Sequence, residues 1–223
     1  MKIAEKVKRI MDDLDTYIPE TPIPLNHDSH FQLLIAVMLS ASATDKKVNE
    51  VTPTLFAEGG TPETMSAMSV QRIKEIIYDV GLSNNKSKNV HKTAQILVNK
   101  HNSTVPKTFP ELEALPGVGH KTASVIMSQA HGIPAFAVDT HIHRLAYRWG
   151  LSNGKSVVQT EKDLKRRFPQ EQWNKLHIQM IYFGRAHCPA LRHDPDACPI
   201  CSWGAVKKRL KEEKKREAPW QKK

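Results

Sequence analysis

The chain has 223 residues and a mass of 25.2 kDa, and 39% of it is hydrophobic, which is enough to bury a core in one domain or two small ones and excludes a disordered tail. A formal net charge of +10 and a sequence pI ≈ 9.5 point to a polyanionic partner, nucleic acid before membrane. No apolar run approaches the roughly 18 residues of a bilayer span, and the charged start Met1-Lys2-Ile3-Ala4-Glu5-Lys6 is unlike a signal peptide, so a cytoplasmic protein is expected, nucleoid-associated in a bacterium.

In chain order, Ile3, Val7, Ile10, Leu14 and Ile18 share one face of a first helix. Phe31 to Ser40 is apolar all round, which predicts a helix through the middle of a domain, with its polar end Ser40 to Asp45 delivered to a surface. Thr61-Pro62-Glu63 reads as a cap and first turn, and Ser69 caps the helix that follows. Ile73, Ile76, Ile77 and Val80 form that helix's apolar face, and Gly81 closes it. Gly117 and Gly119 flank Val118 in a sharp turn, after which Lys121 to Ala130 is helical and stops near Gly132. Asp139 heads another helix that opens at Thr140, and Thr160 opens one more. No strand is evident; the expectation is an all-α fold. Residues 207–223 hold nine Lys or Arg against three Glu, so this expected solvated, disordered tail carries about +6 of the charge and leaves a mildly basic body.

The turn at Gly117-Val118-Gly119 has amides bare of side-chain cover at a helix N-terminus, where free N–H groups and the helix dipole both favour an anion such as a phosphate. Lys121 stands in the first turn of that helix, beside any anion bound there. A lysine amine can act as a nucleophile once it has lost its proton, and Asp139 offers a carboxylate to take that proton. Taken singly, a phosphate-contacting lysine and a helix-capping aspartate explain the same residues.

Four segments in order, Leu33 to Ala41, Gly81 to Lys86, Leu112 to Ala123 and Val138 to Arg144, together with Gly132-Ile-Pro-Ala-Phe-Ala-Val-Asp139, resemble the helix-hairpin-helix DNA glycosylases and, among them, the endonuclease III family. The likeness runs from about residue 25 to residue 201. It implies two all-helical lobes: a six-helix barrel with the hairpin over about residues 22–132, and a second lobe joining residues 1–21 to 133–206, with a DNA cleft between them. It implies a bifunctional glycosylase and abasic-site lyase that removes oxidised pyrimidines from duplex DNA, acting as a monomer. By this resemblance Lys121 is the nucleophile and Asp139 the catalytic carboxylate. Gly117, Val118 and Gly119 hold a backbone phosphate, and Thr140 and His141 line the DNA-facing helix start. Leu82 matches the wedge into the opposite strand, with a capping contact to the core as its alternative. Ser42 stands where the family carries a gap-filling Gln. A purine lesion as substrate and a non-catalytic damaged-DNA-binding protein are the rival functions.

The cysteines depart most from the family pattern. The resemblance implies a [4Fe-4S] cluster on C-x6-C-x2-C-x5-C, but here nine residues separate Cys188 from Cys198. Cys201 follows at the expected distance, and Lys207 stands where the fourth cysteine belongs. His187 or His193 offers a fourth ligand, leaving three readings: no metal, an iron-sulfur cluster, or zinc on a Cys3His set. None is required for the lysine chemistry.

Overall fold

The computed structural model describes Met1 to Gln221; the two lysines that end the tail lie outside the described residues. These residues form thirteen α-helices and no strand. They run α1 Ile3–Tyr17, α2 His30–Ser40, α3 Asp45–Gly59, α4 Pro62–Ala67, α5 Val70–Ile76, α6 Ser83–Lys100, α7 Phe109–Glu113 and α8 His120–Gln129. Then come α9 Thr140–Arg148, α10 Val157–Arg167, α11 Trp173–Ala186, α12 Cys201–Gly204 and α13 Lys207–Lys214. Local sequence starts most of them. Ser29, Thr44, Thr61, Ser69, Thr108, Asp139 and Ser156 each accept the backbone N–H three residues on, a contact that stabilises a helix by about 1 kcal/mol.

The chain divides into two compact units, Ile23–Ile133 and a second made of Met1–Pro22 with Pro134–Lys223. In the first, α2 is the axis. Every residue from Phe31 to Leu39 except Gln32 is buried, and α3, α6 and α8 pack around it. In the second, α1, α9 and α11 enclose Ile10, Leu14, Phe136, Leu145, Trp149 and Phe183. Both ends of the chain contribute to this core, since α1 lies against α11.

Two expectations need correction. α10 opens at Val157 with Ser156 as its cap, so Thr160 lies one turn inside the helix, where it is fully buried and bonded to His143 (2.8 Å) and Ser152 (3.1 Å). The segment read as a solvated tail carries helix α13 and is described through Gln221. α13 packs on α9, where Arg148 Nε donates to Glu213 (2.8 Å), Arg209 donates to the carbonyls of Tyr147 (2.7 Å) and Ser152 (2.5 Å), and the Tyr147 hydroxyl donates to Glu212. Composition counts charges, but these charges have specific partners, and the buried Arg148 is met by a half-buried Glu213. Removing the carboxylate would leave the Arg148 guanidinium buried without it, a change that costs about 3–5 kcal/mol.

Candidate functional site

Three turns of the Ile23–Ile133 unit carry the residues that the sequence singles out, and α6 organises all three. The first is the α7–α8 hairpin. Thr108 caps α7, Val118 is buried, and its N–H closes the turn on Leu115 O (3.1 Å). Gly117 has φ +80°, and a Cβ there would come within 2.8 Å of Asn89 on α6. Glycine is therefore required twice over, by the left-handed backbone and by the close approach. A Cβ at Gly119 would meet nothing within 4 Å, so the face of the turn that leads into α8 is open. Thr93, also on α6, donates to Pro116 O (3.2 Å).

Lys121 is the second residue of α8, exposed, and its ammonium has no hydrogen bond or ion pair among the described residues. Nothing in the fold asks for a cation there. At a helix N-terminus it opposes the dipole, at a cost of about 0.3–1 kcal/mol. Its neighbour His120 is by contrast tied down, stacked on Phe109 at 5.2 Å and bonded to Glu113 at 2.7 Å.

The other two turns bear Ser42 and Leu82. Ser42 is exposed with φ 59°, and Leu82 has φ 52° and is 64% exposed, so the capping contact to the core does not form. A left-handed backbone at a non-glycine residue costs roughly 1–2 kcal/mol, and it occurs at the tip of both loops. What holds them is a buried side chain. Lys86, only 7% exposed, sends its ammonium to Leu39 O and Val80 O, each at 2.9 Å. These carbonyls end the segments leading into the two loops, so one side chain ties both to α6. Burial lowers the Lys86 pKa, with no anion to offset it. Lys86 ends the Gly81–Lys86 motif, but that a lysine will be buried is not visible in its motif.

The remaining residues lie in the other unit. Asp139 is half-buried and caps α9 through Oδ1, which accepts from Ile142 N at 2.8 Å; among the described residues no hydrogen bond engages its second oxygen. Thr140 is exposed. His141 turns inward, its ring within 3.2 Å of Arg144 and its Cβ against Gly184.

The chain's three cysteines converge with a histidine. The ligand atoms of Cys188, His193, Cys198 and Cys201 all lie within 4.8 Å of one another, the cysteines buried and the histidine half-buried. Lys207, in the family's fourth position, heads α13 and is exposed. His187, the other histidine considered, packs on Tyr17 and Phe183. Arg148 Nη1 donates to Cys188 Sγ at 3.1 Å, and Arg144 and Arg148 both donate to Cys188 O. No described helix is long and apolar enough to cross a membrane.

The profile of the HhH-GPD superfamily base excision DNA repair proteins matches residues 35–170, which include the hairpin, Lys121 and Asp139. The chain belongs to that superfamily. Within it the chain is 42% identical to endonuclease III of Escherichia coli strain K12 over 197 residues, covering 87% of this chain and 93% of that one. It is 39% identical to endonuclease III of Bacillus subtilis strain 168 over 199 residues, covering 89% and 91%. A solved structure of a trapped endonuclease III-DNA covalent intermediate superposes with a TM-score of 0.88 at 39% identity, over 97% of this chain and 99% of its own. The HhH-GPD fold is all-helical, in agreement with the helices seen here.

Proposed function

We propose that this chain is a bifunctional DNA N-glycosylase and abasic-site lyase of base-excision repair, which removes oxidised pyrimidines from duplex DNA and cuts 3′ to the abasic site. The observation that carries the reading is Lys121: an exposed, unpartnered amine in the first turn of a helix whose glycine-rich entrance is open to an anion. A fold gains nothing from such a placement, and a nucleophile needs it. The endonuclease III relatives, one of them caught in a covalent complex with DNA, support the same chemistry.

In the proposed reaction the amides around Gly117 to Gly119 hold one backbone phosphate and fix the strand without reading its sequence. The damaged nucleotide leaves the stack, at a cost of a few kcal/mol, and Leu82 fills part of the opposite strand. Ser42 reaches less far than a glutamine and contacts the DNA at the tip of its own loop. Asp139, through the oxygen its helix cap leaves unused, takes a proton from Lys121 and stabilises positive charge developing on the sugar. The Lys121 nitrogen bonds to C1′, the bond from C1′ to the base breaks, and the base departs with a proton; the C1′–O4′ bond then opens, O4′ taking back the proton that Asp139 removed from the lysine, which leaves a protonated imine. The resulting imine acidifies C2′; loss of a C2′ proton expels the 3′ phosphate, and water hydrolyses the imine to free the lysine. Each step uses groups of the chain, the DNA and water.

Borohydride reduction of the imine tests this directly, on one duplex carrying a thymine glycol and another carrying an abasic site. Covalent adducts on both are expected, and both vanish with Lys121→Ala while DNA affinity stays within about tenfold, since phosphate contacts through the hairpin persist. An adduct on abasic DNA alone would keep the lyase and reject the pyrimidine substrate. No adduct on either would leave a binding protein.

A further inference from the structure

We infer that Cys188, His193, Cys198 and Cys201 form a closed, mononuclear zinc site, a structural Cys3His centre in place of an iron-sulfur cluster. Three observations converge. The first is spacing among the donors: Cys188 Sγ lies 3.6 Å from Cys201 Sγ and 3.4 Å from His193 Nε2, with all four donors inside 4.8 Å. Around one tetrahedral ion with Zn–S near 2.3 Å and Zn–N near 2.0 Å, donors stand about 3.5–3.8 Å apart. A [4Fe-4S] cluster binds each ligand to a different iron, so its donors are further apart by the width of the iron-sulfur core. The gathering seen here leaves room for one ion.

The second observation is the loop. Three residues more than the family spacing separate Cys188 from Cys198, and this longer loop contains His193. Arg192 adopts φ 55°, and Cys198 N closes the following turn on Asp194 O at 3.1 Å. The insertion brings His193 Nε2 onto the thiols, supplying a ligand that the chain lacks at Lys207. A buried packing role for the thiols would leave that imidazole free to face water.

The third is charge. Three thiolates and one divalent zinc leave a net charge of −1. Arg148, 1% exposed, donates both to Cys188 Sγ and to Glu213. A zinc-bound thiolate gives this guanidinium a second anion and receives an N–H···S bond of the kind that supports metal ligands. With four protein ligands and no open position, the ion holds the Cys188–Cys201 loop against the α9–α13 core and has no access to substrate.

The test is metal and labile-sulfide content of the full chain, purified without oxygen from cells supplied with both iron and zinc. About one zinc per chain, little iron and no visible absorption are expected. Replacing zinc by cobalt should give tetrahedral d–d bands and thiolate-to-cobalt charge transfer. His193→Ala and Cys198→Ser should lose their metal to a chelator that the wild type withstands. Iron and sulfide in equal multiple amounts would overturn the site in favour of a cluster, and absence of stoichiometric metal would reduce the cysteines to packing. A His193→Ala variant with unchanged zinc retention and cobalt spectrum would remove histidine from the ligand set. None of these readouts depends on whether the glycosylase assignment holds.

Discussion

Lys86 and Arg148 are both buried cations that organise a loop region, and they are compensated in opposite ways. Lys86 binds two carbonyl dipoles and no anion, and burial lowers its pKa. Burial pulls Arg148 the same way, but Cys188 and Glu213 outweigh it and hold the guanidinium above its ordinary value. The loops bearing Ser42 and Leu82 are thus hung from one helix through backbone acceptors that exist whatever the side chains are. The cysteine region depends on ionic partners recruited from segments 40 and 65 residues away in sequence. The first arrangement rests on one side chain and two backbone carbonyls; the second rests on several side chains far apart in sequence.

The largest effect expected separates chemistry from scaffolding. Asp139→Asn keeps the α9 cap, because asparagine caps as well as aspartate, so the melting temperature should barely move while base removal falls roughly 10²–10⁴-fold. Turnover near wild type with single-turnover assays would show that Asp139 is a cap and nothing more. Next, Glu213→Ala leaves Arg148 buried without its carboxylate and should destabilise the protein by about 3–5 kcal/mol in urea unfolding, far more than its place in a charged tail suggests. A loss below about 1 kcal/mol would mean that the pair behaves as an exposed one. Lys86→Met strips the donor from two buried carbonyls and should cost about 1–3 kcal/mol. Its signature is a loss of activity on a base lesion, which needs both loops, greater than the loss on an abasic site, which needs the lysine. Equal losses would break the contrast between loop positioning and imine chemistry.

The smallest effect concerns pH. Desolvation lowers the pKa of His143, and also that of His131, below the ordinary value near 6.5. The folded state then binds fewer protons than the unfolded state once pH drops through the unfolded pKa, so stability is full above that pKa and declines with acid until the folded value is passed. Melting temperatures measured downward from pH 7 should decline, and His143→Gln should make the slope shallower. An unchanged slope would assign the acid sensitivity to other groups.

Much of this protein is local, and the sequence by itself determines what is local. Hydroxyl and carboxyl caps, the apolar run of α2, Gly117 and Gly119 around Val118, and the start of α9 at Asp139 are written in a few adjacent residues, because capping and turn geometry act over about one helical turn. The same locality misled at Thr160, whose cap-like sequence yields to Ser156, and whose hydroxyl serves a buried network with His143 instead. Tertiary structure alone decided that Lys86 is buried between two loop ends, that the charged segment from Lys207 folds onto α9, and that His193 and not His187 joins the three cysteines. Each of these depends on groups distant in sequence meeting where water is excluded. A charge count or a motif carries no record of which carbonyl, carboxylate or thiol will be waiting there.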